Sequence, residues 1–366
     1  MTVLGLMSGT SFDGLDLCCV SFNKEASLYS YKLLGAHTHG YTNEFVQRLS
    51  NAHLMKESEL TDLEDEFDLI VLQAICEFLE GIAIPIDLIS SHGHTVFHRP
   101  DQGITRQIGN GKRYYSQFKI PVVFDFRSYD VALGGQGAPL VPIGDALLFN
   151  TYDVCLNLGG ISNISYSLEG ERRAFDIGMF NTPINDLVQR LNLAYDLGGK
   201  IAESGKPIPE LLDTLNSLSF FARTAPKSLG KEWYHETFFP LISSHQAPIE
   251  NLVNTVTEHN VIQICKVLHR LLTLTKQNTL RVLITGGGAH NTYALRRMRA
   301  LVSENIRLEI PEKQLIDYKE ALIFAFMGYL RSQNQINVYS SVTGASKDSC
   351  AGTLILNEVG HIFNVK

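Results

Sequence analysis

The sequence predicts an internally duplicated α/β protein of two lobes, on three observations. Its 366 residues are more than a single hydrophobic core ordinarily organises. It opens on a strand, a glycine-centred polar turn and a second strand, and the same pattern returns about one lobe later in "VCLNLGGISNISY". After both copies, helical and strand periodicities alternate.

In the first copy, residues 3–7 and 15–22 are apolar runs of strand length, which makes 9–16 a hairpin turn. A plain turn needs a glycine or two and an Asp. Ser8, Gly9, Thr10, Ser11, Asp13, Gly14 and Asp16 exceed that need, and the surplus of hydroxyls and amides suits a loop wrapped around phosphate oxygens. "SLYSYKLLGAHTHGY" continues as β-rich chain. Leu60, Leu63, Phe67, Ile70 and Phe78 recur at helical spacing and predict a helix over 57–80, with acids crowded at the positive end of its dipole. "DLISSHGHTVFH" and "IPVVFDFR" read as buried strands.

Four glycines and two prolines in "LGGQGAPLVPIGDALL" mark a lobe boundary or hinge. This sets lobes at 1–138 and 139–344, with 345–366 a candidate addition to the first. In the second lobe, "RRAFDIG" follows the hairpin as a third strand. "NTPINDLVQRLNLAY" reads as an amphipathic helix through Ile184, Leu187, Val188 and Leu191. A helix near 255–274, the strand "RVLITGGG" and a helix over 317–332 complete the pattern.

A net charge of −7 leaves no broad basic surface, which argues against nucleic acid and anionic membranes as partners. The six cysteines are irregularly spaced without a Cys-x-x-Cys pair, as expected for reduced thiols in a cytoplasmic protein. No signal-peptide pattern and no apolar run near ~18 residues are present.

Three glycine-rich turns stand out at 9–16, 157–163 and 285–291, each delivered by a strand and each carrying Ser, Thr or Asn. Such turns let backbone approach a ligand closely. None matches the Walker pattern or a Gly-x-Gly-x-x-Gly dinucleotide fingerprint, so a P-loop NTPase and a dinucleotide dehydrogenase are disfavoured.

"GLMSGTSFDGLD" closely resembles the opening signature of the anhydro-N-acetylmuramic acid kinases, members of the actin, Hsp70 and sugar-kinase superfamily. "SHGHTVFHRP", "QIGNG", "VVFDFRSYDVALGGQGAPLVP", "LNLGGISNI", "PKSLGKE", "ITGGGAHN", "EALIFAF" and "SVTGAS" resemble that family's blocks, in its order. The resemblance implies a duplicated two-lobe actin-like, ribonuclease-H-like ATPase fold with an interlobe cleft, and closure on substrate is expected because excluding bulk water protects the γ-phosphate from hydrolysis. It also implies a reaction in cell-wall (peptidoglycan) recycling. ATP phosphorylates O6 of 1,6-anhydro-N-acetylmuramic acid while water opens the anhydro bridge, with Mg²⁺ as cofactor and a homodimer as a candidate assembly.

By that resemblance Gly9, Thr10, Ser11, Asp13, Gly14 and Asp16 line a first phosphate loop. Gly159 and Gly160 form a second, and Gly286, Gly287 and Gly288 border the adenosine. Asp176 falls at the catalytic base; taken alone it could equally cap a turn after its strand. Arg127 either positions the sugar's lactyl carboxylate or pairs with Asp125 or Asp130. Glu320 is placed on sugar hydroxyls, or is a plain first-turn acid, and Asn181 belongs to the catalytic block. His92, His94 and His98, read as one strand, share a face. That geometry allows zinc, but the family parallel makes them cleft imidazoles with His98 toward the sugar, so no metal site is assigned. Lys227 is either near substrate or solvated.

The family's catalytic block usually reads Asp-Thr-Gly-Pro-Gly-Asn, whereas here Ile177, Met179 and Phe180 intervene between Asp176 and Asn181. His94, Asn110 and Leu229 also replace a usual Gln, Asp and Thr. Bulky Met179 and Phe180 must fill part of the sugar pocket or pack under a reshaped loop. The first outcome would favour another anhydro sugar such as levoglucosan, and the altered loop itself leaves open a nucleotide- or sugar-binding relative that has lost turnover.

Overall fold

The computed structural model describes residues 1–9, 12–82 and 84–357. Thr10 and Ser11 of the expected first phosphate loop lie outside the described residues, as does 358–366 of the C-terminal segment. The strands are β1 (Thr2–Ser8), β2 (Gly14–Glu25), β3 (Leu28–Gly40), β4 (Leu88–Ser91), β5 (His94–Arg99), β6 (Ile104–Ile108) and β7 (Val122–Phe124). They continue as β8 (Val154–Leu158), β9 (Ile161–Leu168), β10 (Glu171–Met179), β11 (Leu280–Thr285), β12 (Ile306–Glu309) and β13 (Thr353–Ile355).

Two compact units form, one from Met1–Phe149 with Tyr318–Lys366 and one from Asn150–Asp317. The sheet of the first runs β13-β7-β4-β1-β2-β3 and that of the second β10-β9-β8-β11-β12. Each contains an antiparallel three-strand meander, β1-β2-β3 or β8-β9-β10. Each then adds two strands parallel to the meander's first strand, β4 and β7 or β11 and β12. The same order occurring twice is the duplicated actin-like, ribonuclease-H-like fold.

Residues 139–149 and 318–344, expected in the second lobe, pack with the first unit instead. A Cβ at Gly144 would lie 2.5 Å from Ile323, so the short helix Pro142–Leu147 sits directly on the helix Lys313–Ser332. A buried ion pair of Lys319 with Asp145 at 2.7 Å joins the same two helices.

β1 is buried on both faces, as its unbroken apolar run requires. Leu4 and Leu6 pack with Leu63, Phe67 and Ile75 of the helix Glu57–Glu80, which forms where its spacing predicted. On the opposite face a Cβ at Gly5 would meet the Ala321 carbonyl at 2.2 Å, so the helix Lys313–Ser332 lies backbone to backbone on the strand. In the second unit the helix Ile249–Leu274 serves two clusters. Its N-terminal half packs with Met179 and Leu187, and its C-terminal half with Leu156, Phe180 and Ile284.

Two local expectations change. The helix Asn181–Val188 gives way to a single 3₁₀ turn at Gln189–Leu191, stopped by Asn192 at φ +57°, which leaves Leu191 exposed rather than on an apolar face. "DLISSHGHTVFH" is two strands, because Gly93 at φ +71° turns the chain between β4 and β5. β5 pairs with β6 in a separate ribbon. His92, His94 and His98 therefore share no strand face. Among the described residues no helix is long and apolar enough to cross a membrane.

Candidate active site

Asp176 lies within β10 opposite Asn163, and the strand runs on to Met179, so Asp176 does not cap a turn. Pairing skips Ile177 and resumes at Gly178 with Ser162. This bulge lets Ile177 enter the core while Asp176 stays half-buried. The segment 227–229 crosses back over the strand. The Asp176 N–H donates to the Lys227 carbonyl at 3.0 Å, and the Leu229 N–H donates to Asp176 Oδ2 at 2.8 Å. Burial pushes the Asp176 carboxyl up to about 6, against the downward pull of the Leu229 N–H and the Lys227 charge. Such a carboxylate accepts a proton readily near neutral pH.

The two bulky replacements in this block are core residues. Met179 and Phe180 are 3% and 0% exposed, each in a different hydrophobic cluster. They pack beneath the segment rather than reaching out of it.

Gly159 and Gly160 make the β8–β9 turn. Their carbonyls accept from the Asn181 N–H at 3.1 Å and the Phe180 N–H at 2.7 Å. Because C=O and N–H oppose each other across a trans peptide, the Gly160 N–H points away from that helix start. Asn181 also donates from Nδ2 to the Leu158 carbonyl at 3.1 Å, so one of its amide protons holds the turn. A Cβ at Gly160 would lie 2.7 Å from the Thr182 hydroxyl.

The 286–288 glycines divide by cause. Gly286 adopts φ +81° and a Cβ there would strike Asn157 Oδ1 at 2.3 Å. One at Gly288 would strike the Phe180 ring at 2.4 Å. At Gly287 the nearest atom would be Asn181 Nδ2 at 3.8 Å, ordinary contact. The fold would tolerate a side chain at 287.

In the first unit, Phe12 at φ +60° donates its N–H to the Gly9 carbonyl at 3.3 Å and closes the turn. Asp13 is exposed beyond it. Gly14 is fixed by strand pairing, since a Cβ would meet the His39 carbonyl at 2.6 Å. Asp16 accepts from the Thr38 hydroxyl at 2.6 Å, a cross-strand bond between β2 and β3.

Arg127 takes neither aspartate as hydrogen-bond partner. Its Nη1 donates to the Gly137 carbonyl at 2.6 Å, and Nε and Nη2 face His92 Nε2 at 3.1 and 2.8 Å. His92 Nδ1 lies 2.9 Å from the Gly93 carbonyl, which assigns the ring proton there and makes Nε2 the acceptor. Burial and the Arg127 charge hold His92 neutral, far below the usual histidine range. Burial lowers Arg127 to about 10, with Glu320 and Asp130 favouring the cation. His98 is exposed, 3.1 Å from the Thr105 hydroxyl, and crowding and the Arg127 charge lower its pKa. Glu320 reaches solvent on the helix Lys313–Ser332, and loss of hydration raises its carboxyl despite Lys319 and Arg127. Among the described residues no group of three or more His, Cys, Asp or Glu is arranged to hold a metal.

A family model described as "Anhydro-N-acetylmuramic acid kinase" matches residues 1–357. The chain belongs to this family. A relative bearing the same description from Synechocystis sp. is 32% identical over 98% of this chain and 100% of its own length. Another from Shewanella woodyi is 34% identical over 96% and 97%. Among solved structures, the activator of the 2-hydroxyisocaproyl-CoA dehydratase from Clostridium difficile aligns over 91% of this chain and 97% of its own. Its identity is 13% and the TM-score 0.43.

Sequence reasoning did not anticipate the approach of Asn157 to Gly286, that of Thr182 to Gly160, or the seating of 227–229 on Asp176. Asn157 stands at the edge of a glycine turn, whereas Thr182 follows a strand with no such mark. The seating of 227–229 joins residues about fifty positions apart, and no local pattern announces it.

Proposed function

We propose that this protein transfers the γ-phosphoryl group of ATP to O6 of 1,6-anhydro-N-acetylmuramic acid with addition of water, yielding N-acetylmuramic acid 6-phosphate in peptidoglycan recycling. The half-buried Asp176 carboxylate, raised to about 6 and pinned by the Leu229 N–H, carries this reading. Asp176 takes a proton from a water as its oxygen bonds to C1. The C1–O6 bond breaks, O6 bonds to the γ-phosphorus, and ADP leaves. Gly159, Gly160, Gly286, Gly287 and Gly288 are the second unit's phosphate and adenosine borders. Gly9, Asp13 and Gly14 are the first unit's phosphate loop. Arg127, held by His92 and Gly137, is assigned to the lactyl carboxylate, with Glu320, His98 and Asn181 on the sugar. Mg²⁺, when bound, would draw charge from the transferring phosphate. ATP supply and the free cysteines suit a cytoplasmic enzyme.

Levoglucosan as preferred substrate rested on Met179 and Phe180 filling sugar space, and both are buried core residues. The test is ADP release with 1,6-anhydro-N-acetylmuramic acid and with levoglucosan, followed by product mass. Gain of water plus phosphate on the muramic compound is expected; turnover of levoglucosan alone, or binding without ADP release, overturns the proposal.

A further inference from the structure

Arg127 is a partly buried cation whose described hydrogen bonds all go to neutral acceptors. Nε and Nη2 lie 3.1 and 2.8 Å from His92 Nε2, and Nη1 donates to the Gly137 carbonyl at 2.6 Å. These bonds use the Nε proton and one proton on each Nη, so a second proton on each Nη is left over. Both aspartates near it in sequence are engaged elsewhere. Asp125 accepts from the Ser128 N–H and hydroxyl at 3.3 and 2.6 Å. Asp130 accepts from the Gly137 N–H and the Thr343 hydroxyl, each at 2.7 Å. The imidazole that holds the guanidinium is itself buried and fixed. The His92 N–H donates to the Leu6 carbonyl of β1 at 3.0 Å, Nδ1 faces the Gly93 carbonyl at 2.9 Å, and the Phe324 ring lies 4.5 Å away, centroid to centroid.

A carboxylate in the place of His92 would orient the guanidinium and also neutralise it. A neutral imidazole orients it and leaves the charge unspent. We propose that His92 is the positioning residue for Arg127, presenting that guanidinium at full charge to a carboxylate of the substrate. This rests on the assignment of Arg127 to the lactyl group. A carboxylate accepts from the two remaining Nη protons in charge-assisted bonds, and a neutral amide in its place gains much less. Preference for an acidic sugar then depends on His92 Nε2 as well as on Arg127.

The test is calorimetric binding of 1,6-anhydro-N-acetylmuramic acid and of its lactyl amide to the full chain, as wild type, His92→Phe and His92→Gln. Wild type is expected to bind the acid about tenfold tighter than the amide or better. His92→Phe keeps a ring against Phe324 but removes the acceptor. It should lose most of that preference by weakening the acid alone, whereas His92→Gln, which can return an oxygen to the guanidinium, should keep most of it. An unchanged preference in His92→Phe, equal weakening of acid and amide, or a glutamine variant indistinguishable from phenylalanine overturns the inference. Should His92→Phe fail to fold, His92→Glu answers the same question. Its carboxylate would hold Arg127 in place but spend the charge, so the preference for the acid should fall, and an undiminished preference overturns the inference. Equal binding of acid and amide by wild type would overturn the assignment of Arg127, and the inference with it. An intact preference without ADP release would overturn only the reaction.

Discussion

Asp176 answers to two opposing demands. The proposed role as base wants a carboxylate partly withdrawn from water, and folding would sooner leave that carboxylate hydrated. Its pKa of about 6 in the folded chain exceeds the ordinary 3.8, so the folded state binds this proton more tightly. The associated stability is present at low pH and is lost as pH rises from about 4 to about 6, by up to about 3 kcal/mol. Asp176→Asn keeps an oxygen for the Leu229 N–H and removes the charge. It should raise Tm above pH 6 while lowering kcat a hundredfold or more and leaving nucleotide affinity nearly intact; thermal melts and ADP release measure both. A fall in Tm would show that the anion is not the destabilising element. The glycines offer a second residue-scale contrast. Gly286→Ala should lose about 2 kcal/mol of stability through its φ and the Asn157 clash. Gly287→Ala should melt like the parent yet bind nucleotide weakly in calorimetry; unchanged affinity would remove Gly287 from the site.

At the scale of elements, β1 works because it carries no side chain where the helix Lys313–Ser332 crosses it. Gly5→Val would force that helix off the sheet, at a cost of about 3 kcal/mol or more by overpacking, read as a drop in the denaturation midpoint. A midpoint unchanged by this substitution would contradict the backbone contact. The Ile177 bulge is a second device of this kind. It places an apolar side chain inward and a carboxylate outward at consecutive positions while Met179 and Phe180 go to separate cores. Both hairpins and the helix over 57–80 were legible because their determinants lie within a few residues of one another. The split at Gly93 was not, since one positive φ in an apolar run breaks a strand without altering its composition.

At the scale of the whole molecule, the chain leaves its first unit at Asn150 and returns within a helix at Tyr318. The fragment 150–317 contains both of its clusters and should fold alone with a cooperative melt followed by Trp233 fluorescence. Residues 1–149 lack the helix that covers β1 through Ala321 and Ala325, and alone should bind ANS and melt without cooperativity. A cooperative 1–149 fragment would mean the sheet does not need that helix.

By itself the sequence determined the α/β class, the duplication, the glycine turns and the family resemblance. All of these are written in short stretches or in their order along the chain. Only the tertiary structure decided that Lys227 and Leu229 seat on Asp176, that Arg127 is held by His92, that residues 139–149 and 318–344 belong to the first unit, and that Met179 and Phe180 are core. Those outcomes depend on which distant surfaces meet when apolar area is buried, and close packing settles that for the molecule as a whole.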